Sequence, residues 1–237
     1  MNLFEIRFQT SELIPPPYAH AIEILAQNDP KGGFSYIFEI SYLDRESLTE
    51  DEILEEGFSL NDDLQLKGTL PLAWKSAFDA LLEKTKKTYP TEIEDKEDFW
   101  EILTVDEPFY PKNTREWKIF LEEMRQAITE QNKLELPLNF QIKRIDQELT
   151  EDYLVEGKFE ERVFQITKKD GKTKELEWIK LNNFLKDIFS GEFVYEKTST
   201  KMPKRTGLFL NLGDEIWYEV GKSLLTQPSK ITKWLAY

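Results

Sequence analysis

The stretch from Glu160 to Gly191 limits the possible folds most tightly, because it reads as a β-hairpin running at once into an amphipathic helix. The turn decides its register. A two-residue Asp170-Gly171 turn would set Gln165 opposite Leu176 and leave Phe164 and Leu176 on opposite faces. A three-residue loop, Lys169-Asp170-Gly171, sets Phe164 opposite Leu176 and uses Gly171 as its left-handed residue. The sequence predicts the three-residue loop. Beyond it, Leu181, Phe184, Leu185, Ile188 and Phe189 follow the spacing of one helix face, and Gly191 is a natural stop. The expectation is an α+β fold, with antiparallel sheets and amphipathic helices packed on one face.

The rest of the chain fits that class. Phe4, Ile6 and Phe8 alternate with Glu5, Arg7 and Gln9, as in a half-buried strand. Residues 18–26 read as a second strand before the turn-rich 28–33 segment, and residues 34–42 as a third. Phe34, Tyr36, Phe38, Ile40 and Tyr42 share one face of that third strand. Ser47, with Glu50 three places on, predicts the cap of a short acidic helix that Gly57 ends. Thr69 is the expected cap of a helix with Pro71 in its first turn and Trp74, Ala77, Phe78, Leu81 and Leu82 as its buried stripe. Asn113 opens another, reaching about Gln131, with Trp117, Phe120, Leu121, Met124 and Ile128 inward. Strands are expected at 99–105 and 138–145, a basic loop at 197–206, a hairpin at Gly213-Asp214 and a closing helix at 229–236. This organisation suggests an acidic half, residues 1–132, and a second half, residues 133–237, closely packed or merged into one domain. The helical stripes at 74–82 and 181–189 share one template at an offset of 107 residues, as two similar halves would.

Composition excludes several function classes. The 237 residues contain no cysteine, so disulfides, thiolate nucleophiles and cysteine metal sites are ruled out. No run approaches the 18 apolar residues of a membrane span, and the N-terminus has no signal-peptide pattern, which points to a cytoplasmic protein without a membrane partner. The net charge of −14 is uneven. Residues 1–118 hold 12 Lys/Arg against 25 Asp/Glu, whereas residues 119–237 hold 19 against 20. Such a field repels phosphate backbones, so general nucleic-acid binding is not expected.

Few residues offer chemistry. His20 is the only histidine, no G-x-S-x-G elbow accompanies it, and phosphate-cradling glycine loops are missing. Trp100, Tyr110, Trp117, Trp178 and Trp217 could line a sugar cleft with Glu101 or Asp106, but such periodic aromatics usually form core. Asp146 followed by Glu156-Gly157-Lys158 is similar in spacing to the divalent-metal motif of restriction-endonuclease-like nucleases. That resemblance implies Mg²⁺ held by Asp146 and Glu156, with Lys158 acting on the attacking water. The competing candidates are two acidic segments: Glu50, Asp51, Glu52, Glu55 and Glu56, and Glu92, Glu94, Asp95, Glu97 and Asp98. They could dock a protein with a basic surface or imitate a nucleic-acid backbone. The sequence thus favours a non-catalytic protein-interaction or regulatory module without a cofactor, with the metal-dependent nuclease as the alternative.

Overall fold

The computed structural model describes residues 2–90 and 92–236. The chain divides into two compact units, Met1–Glu135 and Leu136–Tyr237. Helices are mixed with sheets whose strand pairs are antiparallel, so the class is α+β.

The first unit runs β1 (Asn2–Gln9), β2 (His20–Asn28), β3 (Phe34–Tyr42), α1 (Glu50–Glu55), β4 (Leu64–Leu70), α2 (Leu72–Lys84), β5 (Lys87–Thr88), β6 (Phe99–Leu103), β7 (Tyr110–Pro111) and α3 (Thr114–Gln131). Its main sheet has the order β4-β3-β2-β1-β6, and β5 pairs with β7. Period-two alternation buries Phe4, Ile6 and Phe8 of β1 and Phe34, Tyr36, Phe38 and Ile40 of β3. Phe4 stacks on Phe78 of α2 at 3.9 Å, and Phe78 meets Trp117 of α3 edge-on at 5.8 Å. The α3 stripe of Trp117, Phe120, Leu121, Met124 and Ile128 is buried, and the Trp117 indole donates to Thr85 Oγ1 at 2.9 Å.

Two helix starts differ from expectation. The acidic helix is capped by Thr49, not Ser47. Thr49 and Glu52 form the reciprocal capping box, while Ser47 closes a preceding 3₁₀ turn. Thr69 caps nothing, because it lies in β4 opposite Ser35 and its carbonyl accepts from Gln131; the α2 helix begins after Pro71. Ser47 is claimed by a local partner, Asp44 O, and Thr69 by pairing across the sheet.

The second unit runs β8 (Leu138–Ile145), β9 (Thr150–Lys158), β10 (Val163–Lys168), β11 (Thr173–Leu176), α4 (Lys180–Phe189), β12 (Glu192–Phe193), β13 (Gly207–Asn211), β14 (Trp217–Glu219), β15 (Leu224–Leu225) and α5 (Pro228–Thr232). Its sheet order is β11-β10-β9-β8-β13-β14. The Lys169–Gly171 loop has the expected register: Phe164 pairs with Leu176, Lys168 N donates to Lys172 O at 2.8 Å, and Gly171 sits at φ 89°. Phe140, Ile142, Tyr153, Val155, Phe164 and Ile166 form one buried cluster with Leu181, Phe184 and Ile188 of α4. A Cβ on Gly157 would stand 3.2 Å from the Leu181 methyls, so this glycine admits the helix closely.

A left-handed Gly171 predicts that Gly171→Val lowers stability by about 1–2 kcal/mol. Phe184→Ala, at the centre of the cluster, should cost about 3–5 kcal/mol. Urea midpoints measure both, and an unchanged midpoint for either variant would contradict the corresponding assignment.

Candidate functional site

Sheet parity brings the acidic segments of the first unit together. Strands β1 and β3 run one way, and β2, β4 and β6 run the other. The end of β1, the start of β2, the end of β3 and the starts of β4 and β6 therefore share one rim. Residues 10–19 and 43–63 lie along it, and residues 92–98 lead into it at the start of β6.

Named contacts tie these segments to one another. The Arg45 guanidinium lies 4.0 Å from the centre of the Tyr42 ring and 4.9 Å from that of Phe58. Its Nη1 donates to Ser59 O and to Asp62 Oδ2, both at 2.8 Å, and Nη2 donates to Pro17 O at 3.4 Å. Arg45 thus joins the 43–63 segment to the 10–19 loop. The Tyr18 hydroxyl donates to Glu56, adding a second link between them. On the other flank, Ser11 N donates to Asp98 Oδ1 at 3.0 Å, Lys118 Nζ pairs with Asp98 Oδ2 at 2.7 Å, and the Tyr110 hydroxyl donates to Asp98 O at 2.9 Å.

The rim's carboxylates fall into two groups. Glu52, Glu56 and Asp98 serve the fold, through the capping box, Tyr18 and the Ser11–Lys118 contacts. Glu94 pairs with Lys96 at 2.7 Å. Glu50, Asp51, Glu55, Glu92, Asp95 and Glu97 are exposed and have no cation within ion-pair distance among the described residues. Exposed apolar side chains share the rim with them: Leu13, Ile14, Leu54 and Leu60. Backbone and hydroxyl hydrogen bonds from Thr49 lower the Glu52 pKa. Burial alone would raise that of Asp62, but Ser59 and Arg45 together hold it below the usual carboxylate range. The Tyr18 phenol is raised, chiefly by its hydrogen bond to Glu56.

The nuclease residues are not brought together. Asp146 follows β8 at the hairpin turn, where its carboxylate pairs with Arg144 at 2.9 Å. Thr150 pairs with Ile145 and Glu156 with Asn139, so strand rise separates Asp146 from Glu156 by about 20 Å. Glu156 instead accepts from Gln165 at 2.7 Å and lies 3.8 Å from Lys158. No cluster of three metal-ligating side chains occurs among the described residues. Among the other candidates, His20 Nδ1 bonds Tyr18 O at 2.8 Å, Trp100 and Trp117 are core, and Glu101 pairs with Arg7 at 2.8 Å. The residue that sequence reasoning missed is Arg45. Its signal was present as one arginine in an acidic stretch, three places after Tyr42.

Asp62 carries a pH signature. Its folded pKa is depressed, so its pairing stabilises fully above the unfolded carboxylate pKa and is lost as pH falls through the folded value. The Arg45 and Asp62 side chains are only 12% and 24% exposed. Arg45→Met should therefore cost about 3 kcal/mol at neutral pH. The penalty should shrink in acid, once Asp62 is protonated in both proteins. Urea midpoints across this range give the test, and a penalty that does not vary with pH would contradict the pairing.

No family model, curated protein or solved structure matches the chain. No helix among the described residues is long and apolar enough to cross a membrane.

Proposed function

We propose that this chain is a non-catalytic interaction protein whose acidic rim docks a partner protein through a basic surface. The observation that carries this reading is the set of exposed, unpaired carboxylates at Glu50, Asp51, Glu55, Glu92, Asp95 and Glu97, held on one rim beside exposed leucines. An apolar centre flanked by charge of one sign suits a partner that presents cations around a few apolar side chains. The unit that bears the rim, Met1–Glu135, holds 14 Lys/Arg against 29 Asp/Glu. A field of that size speeds encounter with a basic partner and disfavours a phosphate backbone.

We also infer that the two units repeat one plan, each a sheet with its helices on one face. In both, four consecutive strands form a meander, a helix follows the fourth, and the next long strand returns beside the first, giving β4-β3-β2-β1-β6 and β11-β10-β9-β8-β13. A two-residue strand after that helix, β5 or β12, pairs with a later short strand in each unit. Shared topology of this detail supports duplication better than the helical stripes alone.

A labelled Lys/Leu-rich peptide tests the docking reading by fluorescence anisotropy. Binding should weaken about tenfold or more as added salt brings the screening length below the ~8 Å of physiological buffer. The triple variant Glu50→Lys, Asp51→Lys, Glu55→Lys should bind more weakly than the native chain at low salt. Absent binding, or binding indifferent to salt and to charge reversal, would contradict the proposal.

A further inference from the structure

The edge of the second unit's sheet at β14 carries cations, on the chain that approaches β13. This segment contains Lys197, Lys201, Lys204 and Arg205. Two backbone hydrogen bonds anchor it to the edge strand β14: Ser199 N to Trp217 O at 3.2 Å and Trp217 N to Ser199 O at 2.8 Å. Arg205 and Lys222 both pair with Glu219, which neutralises the one carboxylate at the site.

A cleft of about 330 Å³ lies along this segment, lined by Lys201, Lys204, Met202, Pro203, Phe209 and Trp217 among others. Lys197, Lys201 and Lys204 are exposed and have no carboxylate within ion-pair distance among the described residues. Phe209 lies outside the core cluster, although its strand neighbours Leu208 and Leu210 belong to it, yet it is only 4% exposed. The cleft therefore combines three uncompensated ammonium groups with an aromatic and thioether wall.

We propose that this cleft is a docking site for an acidic peptide segment of a partner protein, one bearing two or three carboxylates beside an apolar residue. Three lysines match that number of carboxylates, and the Met202, Phe209 and Trp217 wall takes the apolar side chain. A nucleic acid fits less well, because three lysines beside one apolar wall match a short segment and leave most of a phosphate backbone uncompensated. The site has the opposite sign to the acidic rim and does not depend on it, so either can fail alone.

The test measures anisotropy of a labelled peptide of alternating Glu and Leu against the full chain at low salt. Saturable binding is expected, weakened about tenfold or more in Lys201→Glu/Lys204→Glu and retained in the Glu50, Asp51, Glu55 triple variant. Both substituted lysines are exposed, so an unchanged melting temperature should accompany the loss. Three results would overturn the proposal. The first is no binding, or equal binding by the double variant. The second is tighter binding of an oligothymidylate of equal charge, which would make this a nucleic-acid site. The third is salt-sensitive self-association of the native chain, abolished by the double variant in sedimentation velocity, which would make a second copy the occupant.

Discussion

Strand direction is the constraint on which the proposed docking surface depends. In an antiparallel sheet every connection leaves from one of two ends, and a meander returns to the same end at alternate connections. The 10–19 and 43–63 connections and the approach to β6 must therefore share an end once β1–β4 and β6 are paired as they are. Segments up to 87 residues apart, as in the Ser11–Asp98 contact, meet without any contact designed to recruit them. Parity supplies proximity, and local chemistry then supplies order.

That order rests largely on one side chain. Arg45 offers a planar fork that bonds two oxygens of the 59–62 turn and a third in the 10–19 loop, while its face covers Tyr42 and Phe58. Lysine could supply the charge but not this combination of stacking and several bonds. An arginine that neutralises Asp62 internally also leaves the α1 carboxylates without a cation of their own. The acidic rim is thus ordered at its base and unpaired at its surface, which is what a salt-sensitive docking surface requires.

Much of the fold was legible because periodicity reports burial directly. Phe34 through Tyr42 alternate, the α3 stripe repeats at helical spacing, and the 169–171 turn admitted only one register that kept Phe164 and Leu176 together. The errors arose where two residues competed for one role. Ser47 and Thr49 were both plausible caps, and the choice fell to the side-chain partner that Glu52 provides. Thr69 was lost to a strand whose pairing spans 34 positions, from Ser35. The site was less legible. The acidic segments were visible as composition, but their meeting on one rim depends on strand order. Asp146 and Glu156 had a suggestive spacing whose meaning reversed once Ile145–Thr150 and Asn139–Glu156 were seen to be different rungs of one ladder.

Hydrogen exchange, read by mass spectrometry with and without the Lys/Leu-rich peptide, tests the central claim most directly. If the three connections form one surface, amides in residues 10–19, 43–63 and 92–98 should gain protection together, with none gained along β9 and β10. Protection confined to one of the three segments, or centred on β9 and β10, would contradict the account.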